Sequence, residues 1–291
     1  MNFLFLSTII VLISEISAQN IAKFDINLAQ FRSLDSNYSS QGYCVISIIG
    51  YELNNTETYS VIWANNIKKE NIIFNVSLTA DDLQNFYLSS STNNYVISYL
   101  TSYEIRGIEY YTYIAKVIPN VTYDTQVFYS MSLYQFQENY DIYVTKGYRI
   151  AFISGFRIDD YESYTVIFVN SNVTGWAYNI QMTGDEFQLK NTYYISRGYK
   201  LLSISGYNYT DGTSGYRDAY TAVWAIQEDL PKQTSNYGLS DTFYGYYFEN
   251  LKYQGYSPIF INVFRSGNSL KYNFLPSYPP DNIMEKCTKG N

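Results

Sequence analysis

Apolar and polar positions recur along this chain in blocks of about fifty residues. The string GYRIAFISGF at 147–156 returns as GYKLLSISGY at 198–207 and as GYCVISIIGY at 42–51, with weaker copies at 94–103 and 255–264. Aligned on the first aromatic, the copies give Tyr43, Tyr95, Tyr148, Tyr199 and Tyr256. Eight residues on stand Tyr51, Tyr103, Phe156, Tyr207 and Phe264, and eight further on Tyr59, Tyr111, Tyr164 and Tyr272. The fourth copy reaches its equivalent, Tyr220, only after a five-residue insertion. Twelve residues before the first aromatic lie Phe31, Leu83, Phe136, Phe187 and Tyr244, and four before those Asn27, Thr79, Ser132, Thr183 and Ser240.

Each column predicts a local structure. Asn, Thr and Ser are helix N-cap residues, and Gln30, Asp82, Gln135 and Glu186, three positions later, can reach back as capping-box partners. A short helix is therefore expected from each cap. Gly42, Gly147, Gly198 and Gly255 then offer a left-handed stop before the chain becomes extended. Alternation from Cys44, Val96, Arg149, Lys200 or Ser257 to Ile48, Leu100, Ile153, Ile204 or Ile261 predicts a strand whose first column mostly faces water and whose second is buried. Runs such as YTVIF at 164–168 and YTAVW at 220–224 predict a second strand, and a stretch before each cap, such as 72–76 or 176–180, a third. The unit is strand, helix, strand, strand.

A unit of about 52 residues with one short helix cannot hold a core alone, so neighbours must bury each other's apolar faces. The fold class is α+β: five tandem βαββ repeats at about 19–64, 65–116, 117–169, 170–225 and 226–276, forming one domain over 19–276 with a tail at 277–291. Open stacks end in polar capping repeats, whereas the end copies here keep their aromatic columns, with Pro258 and Pro276 as the main departures. This favours closure into a ring or barrel-like toroid over an open solenoid.

Composition narrows the chemistry. Hydrophobic residues make up 46% and charged residues 15% of the 291, enough to bury a core. A net charge of −7 argues against general affinity for nucleic acid or anionic membrane. Histidine is absent, which removes Ser-His-Asp and Cys-His nucleophile systems and every His-ligated metal site. No cofactor and no metal are expected. The excess is aromatic, with 35 Tyr and 17 Phe.

The consensus GY(R/K)(I/L)xxISG(Y/F) followed by YTAVW, with a cap-x-x-x-F-Q helix between copies, resembles the bacterial tandem repeat family. It is also similar to the repeat-built N-terminal domain of secreted polyglycine hydrolases. The resemblance covers about 21–276. In those hydrolases the domain precedes a serine catalytic domain similar to β-lactamases; no such domain is expected here, and no Ser-x-x-Lys occurs in the sequence. The resemblance implies the fold of an accessory domain and no protease activity.

The apolar run at 3–13, too short to span a bilayer, reads as the core of a signal peptide over 1–18, which predicts a secreted, extracellular protein with no stable membrane insertion. Six N-glycosylation sequons start at Asn37, Asn54, Asn75, Asn120, Asn172 and Asn208, most in segments read as loops. In an oxidising compartment Cys44 and Cys287 are expected to pair, with Cys44 facing outward.

Two functions from different classes stay open: a non-catalytic binding or structural module, and a carboxylate-dependent hydrolase, which needs only two acids across a cleft. The module reading expects an extracellular glycan or protein as partner, and leaves the oligomeric state open. It places contacts on the connections at 52–58, 104–110, 157–163, 208–219 and 265–271, the most variable part of each unit. The candidate residues are Arg157, Asp159, Asp160, Tyr209, Asp211, Tyr216, Arg217 and Asp218, aromatic area flanked by directional charge.

Overall fold

A computed structural model describes residues 20–65, 72–90, 95–117, 124–158, 161–170, 175–210, 215–226 and 232–278. The signal-peptide residues, Asp159, Asp160, Asp211, Asn120, Asn172 and Cys287 lie outside the described residues. Five units share the predicted order. They are β1 (Ile21–Asn27), α1 (Leu28–Ser40), β2 (Cys44–Leu53) and β3 (Thr56–Ala64); β4 (Ile72–Leu78), α2 (Ala80–Ser90), β5 (Tyr95–Ile105) and β6 (Ile108–Val117); and β7 (Thr125–Met131), α3 (Leu133–Thr145), β8 (Tyr148–Ile158) and β9 (Tyr161–Asn170). The fourth holds β10 (Trp176–Met182), α4 (Gly184–Ile195), β11 (Tyr199–Thr210) and β12 (Tyr216–Ile226). The fifth is opened by a two-residue strand, β13 (Lys232–Gln233), ahead of β14 (Asn236–Ser240), α5 (Asp241–Tyr253), β15 (Ser257–Ser266) and β16 (Ser269–Tyr278).

Every unit folds into its own antiparallel sheet, in which the last strand lies between the other two: β1-β3-β2, β4-β6-β5, β7-β9-β8, β10-β12-β11, and β14-β16-β15 with β13 beside the far end of β16. No sheet closes on itself, so the strands do not build a barrel.

The caps form as the sequence predicts. Asn27, Ser132 and Thr183 make complete capping boxes with Gln30, Gln135 and Glu186, and Thr79 exchanges the same pair of bonds with Asp82. Ser240 caps without a side-chain bond, and Phe243 at the third helical position has no side-chain acceptor to return one to the cap N–H. Thr183 and Glu186 illustrate the electrostatics: the hydrogen bonds from Thr183 hold the Glu186 carboxyl below its usual range. One feature was not legible. Asp25, Ser77, Ser130 and Gln181, each two residues before a cap, sit at φ between 52° and 57° on a β-bulge in the first strand, and only in the fifth unit is this position a glycine, Gly238. Left-handed backbone at a non-glycine residue is held there by bonds to the neighbouring unit.

The first four helices each sink one large apolar residue into the core: Phe31, Leu83, Phe136 and Phe187 are at most 2% exposed, whereas α5 has no buried residue. The ring spans two units. Phe31 lies 5.7 Å from Tyr59 of its own sheet and 5.7 Å from Phe74 of the next, Phe136 similarly between Tyr164 and Tyr178, and Phe187 between Tyr220 and Tyr237. Tyr244 in the fifth unit stacks 4.2 Å from Tyr272 and lies 4.5 Å from Phe24 of the first unit. Other bonds join the same two units: the Ile261 N–H donates to Ser47 Oγ (3.1 Å), and Asn20 Nδ2 to the Pro258 carbonyl (2.8 Å).

The second strands of the units, β2, β5, β8, β11 and β15, each an edge of its sheet, meet between units, at three junctions through a seat of matched size. A Cβ on Gly50 would lie 2.3 Å from the Tyr103 ring, one on Gly155 2.5 Å from Tyr207, and one on Gly206 2.3 Å from Phe264. In each case the aromatic belongs to the following unit. Its ring lies flat where a side chain would have been, so glycine is required here for space, not for backbone freedom.

Two substitutions separate space from conformation. Gly155→Ala should destabilise by about 2–3 kcal/mol through overpacking against Tyr207, whereas Gly245→Ala, with open space around its Cβ in α5, should stabilise by about 0.5–1 kcal/mol. Urea denaturation of both reads the difference; equal and small effects would exclude the seat.

Candidate functional site

The connections expected as variable loops are mostly strand. β2 and β3 pair as far as Leu53 opposite Thr56, leaving a two-residue turn of Asn54 and Asn55 at φ 52° and 57°. β5 and β6 turn at Arg106 and Gly107 at φ 53° and 77°. Such turns match the twist of a hairpin and allow pairing up to the tip. In the fourth unit the ladder continues through Asn208 opposite Asp218, Tyr209 opposite Arg217 and Thr210 opposite Tyr216.

This brings part of the candidate set together. Arg157 Nη2 donates to Tyr216 Oη (2.8 Å), with its guanidinium carbon 4.0 Å from the centre of that ring. Arg217 lies 4.6 Å over Tyr209. Tyr216 remains 58% exposed and Tyr161, in β9, 75%. Two arginine–tyrosine stacks thus hold flat aromatic area outward. Asp218 is used differently: it accepts from Ser266 Oγ (2.6 Å) and Asn208 Nδ2 (3.3 Å) and forms an ion pair with Lys271. Its carboxylate fastens the fourth unit to the fifth. Asp159, Asp160 and Asp211 lie outside the described residues.

Sequence reasoning missed a pocket of about 290 Å³ to which all five units contribute. Three or four successive positions of the second strand of each unit (β2, β5, β8, β11 and β15) meet there. Ile49, Ser154 and Asn262 lie deepest, followed by Gly50, Ser102, Gly155, Gly206 and Val263, then by the second aromatic column, Tyr51, Tyr103, Phe156, Tyr207 and Phe264. The next position is Glu52, Glu104, Arg157, Asn208 or Arg265. These last are partly or fully exposed, so they stand at the opening, while Ile49, Ser154 and Asn262 are at most 3% exposed. Nearer the strand starts, Tyr99, Phe152 and Phe260 pack together with centroids 5.0–6.3 Å apart and close off the space beneath. The signal was present in the sequence. One column stays polar in every copy while its charge changes, although it follows a column that is always aromatic.

Between units, buried tyrosines and acids form a second recurring cluster. At the first junction Tyr103 Oη and Ser77 Oγ both donate to Glu57 Oε1 (2.6 Å each), and Tyr59 Oη lies 2.6 Å from Ser77 Oγ. At the third, Tyr164 Oη (3.0 Å) and Gln181 Nε2 (2.6 Å) donate to Glu162 Oε2. Between the fifth and first units the acid has moved: Leu270 occupies the glutamate position and Asp25 the bulge, where Tyr51 (2.6 Å) and Tyr272 (3.0 Å) donate to it. The second junction is incomplete. Phe156 replaces the second tyrosine; Ser130 Oγ still donates to Glu109 Oε2 (2.8 Å), but Tyr111 Oη is buried without a hydrogen-bond partner among the described residues, as are Glu109 Oε1 and, at the third junction, Glu162 Oε1. Burial raises the Glu109 and Glu162 carboxyls above their usual range. These two acids sit at separate junctions, and neither lines the pocket.

The sequon and cysteine expectations need correction. Asn37 lies on α1, and Asn75 and Asn208 lie on strands; Asn54 alone of the described sequon residues is in a turn. At Asn208 the loop reading failed because the β11–β12 ladder runs on through Asn208 opposite Asp218 to Thr210 opposite Tyr216. Cys44 is buried at 6% exposure, not outward-facing, because the start of β2 pairs with Ala64 at the end of β3. Among the described residues no helix is long and apolar enough to cross a membrane, and no group of three potential metal-ligating side chains occurs.

Five βαββ units, joined through aromatic seats and sharing one pocket, define a tandem structural-repeat protein. The chain belongs to the polyglycine hydrolase-like structural repeat family, whose pattern it matches over residues 20–66, 124–171, 173–225 and 231–275. The second unit falls outside the matched segments yet has the same element order and strand pairing. A comparison with curated proteins found no match.

The incomplete junction yields a prediction. Phe156→Tyr supplies the missing phenol to the buried acceptor and should stabilise by about 1 kcal/mol; a loss in chemical denaturation would contradict the equivalence of the junctions. Glu109→Gln removes a carboxylate whose folded pKa is raised. Its stabilising contribution is present below the unfolded pKa and is lost as pH rises through the folded value. The melting temperature of this variant relative to the parent should therefore increase from pH 4 to pH 7, and a constant difference would show that burial does not penalise the charge.

Proposed function

We propose that the chain is a secreted, non-catalytic repeat module that recognises an extracellular glycan or protein, with its five units closed into a ring. Closure is supported by the contacts between the fifth and first units, which repeat those between successive units: Tyr244 on Phe24, Ile261 on Ser47, and Tyr272 on Asp25. It is also supported by the pocket, to which each unit gives equivalent residues.

The observation that carries the binding reading is the convergence of that pocket opening with the Arg157–Tyr216 and Arg217–Tyr209 stacks. Rigid aromatic area flanked by directional donors suits recognition of a sugar face or a protein surface, and a rigid scaffold lowers the entropy lost on binding. The hydrolase reading needs two acids facing across one cleft; the acids with raised pKa, Glu109 and Glu162, are in different junctions. Secretion, glycan attachment and pairing of Cys44 with Cys287 belong to the same proposal, because a bond from the tail to the first unit would lock the seam between the ends.

A glycan and secretome binding screen on the purified chain tests the reading. For any ligand so found, Tyr216→Ala combined with Arg217→Ala should weaken binding by at least about tenfold without lowering the melting temperature; unchanged affinity would reject this surface. Peptide mapping without reductant should recover Cys44 and Cys287 in one cross-linked fragment, and two unmodified thiols would remove the seam bond.

A further inference from the structure

The charges at the pocket opening are arranged, not scattered. One strand position supplies Glu52, Glu104, Arg157, Asn208 and Arg265 from the five units in order. The second strands of successive units (β2, β5, β8, β11 and β15) are in contact, as are those of the fifth and first. The two carboxylates are therefore neighbours, each flanked on its other side by an arginine, and the amide of Asn208 lies between the arginines. This position carries two negative and two positive charges, with both acids on one side. A lone cation or anion would be attracted by one half and repelled by the other, whereas a molecule carrying both charges gains from each.

The surroundings favour this electrostatic recognition. The walls are Tyr103, Phe156, Tyr207 and Phe264 above glycine and serine, so the charges act beside apolar rings that exclude water and strengthen the field. Glu52 uses Oε2 to accept the Arg106 N–H (3.0 Å), and Glu104 uses Oε1 to accept the Gly107 N–H (3.0 Å), which fixes both carboxylates against their turns. Arg157 is fixed by Tyr216. Arg265 is exposed, and no carboxylate lies within ion-pair distance of it among the described residues. The glycines required by the aromatic seats leave the depth of the pocket open, and about 290 Å³ matches a small polar molecule better than an oligosaccharide.

We propose that this pocket binds a small zwitterion, a free α-amino acid or a short peptide, with the ammonium group toward Glu52 and Glu104 and the carboxylate toward Arg157 and Arg265. The proposal rests on closure of the five units and adds a second, charge-selective site to the aromatic surface beside it. Asn208 can donate to the carboxylate or accept from a peptide N–H, and the buried Ser154 and Asn262 supply polar groups at depth.

Titration calorimetry at neutral pH with alanyl-alanine tests it, using N-acetylated and C-amidated forms as controls and free alanine to tell the two sources apart. Alanyl-alanine should bind at one site, and blocking either terminus should weaken binding by at least about tenfold. Free alanine supports the proposal if its binding depends on Glu52 and Arg265 in the same way. Glu52→Gln and Arg265→Gln, which keep polar side chains at an exposed opening, should each reduce affinity similarly with no change in melting temperature, whereas Tyr253→Ala, exposed on α5 and away from the pocket lining, should not. Absence of binding by either zwitterion, or equal affinity for the blocked peptides, would overturn the proposal. A macromolecular ligand that binds Arg265→Gln as tightly as the parent but loses Tyr216→Ala would preserve the module reading while giving the pocket no part in it.

Discussion

The aromatic at the eighth position after each repeat's first tyrosine is where the molecule is joined, and its seat on the preceding unit constrains the rest. A three-stranded sheet with one helix and one fully sunk helix residue does not bury enough surface to fold alone. Tyr103, Tyr207 and Phe264 solve this by lying against Gly50, Gly155 and Gly206, so that the first, third and fourth sheets each receive a ring from the following unit. Close approach of the backbone is the condition for that contact. The same glycines and rings line the pocket where the second strands of the five units meet.

The junctions show how one arrangement tolerates sequence change. A tyrosine pair, an acid and a bulge residue make up the complete version at Glu57 and Glu162. Between the fifth and first units the acid has crossed to the other strand, and Leu270 and Asp25 exchange what Glu57 and Ser77 provide elsewhere. Between the fourth and fifth units, where Phe264 offers no hydroxyl, Asp218 turns to Lys271 and Ser266. At Glu109, where Phe156 offers no hydroxyl, only the bulge residue Ser130 donates to the acid, and Oε1 is without a partner among the described residues. The buried charge is tolerable because aromatic burial on both sides of the junction far exceeds what a single unsatisfied oxygen removes.

Function is proposed at the same end of the units that the turns occupy. The described turns at 54–55, 106–107 and 267–268 are two residues long, so at these ends specificity comes from the last residues of the ladders and from what the second strands present to the pocket. A chain with no histidine and few charges uses its charges where their direction is fixed: Arg157 by a tyrosine, Glu52 and Glu104 by backbone N–H groups.

The sequence by itself determined the five units, their helix starts, their strands and their family, because caps, glycine stops and alternating apolar positions act over a few residues and repeat in register. It also carried the candidate contacts Arg157, Tyr209, Tyr216 and Arg217, though it read the ladders within 52–58 and 208–219 as loops, since polar strand ends leave little mark of continued pairing. Tertiary structure alone decided that the last strand of each unit lies in the middle of its sheet, that Cys44 is buried, that Asp218 is tied to Lys271, and that Glu52, Glu104, Arg157, Asn208 and Arg265 share one opening. These depend on which surfaces meet between residues some fifty positions apart. No local propensity encodes such a meeting; it follows from the packing of one unit's aromatic ring onto another unit's glycine.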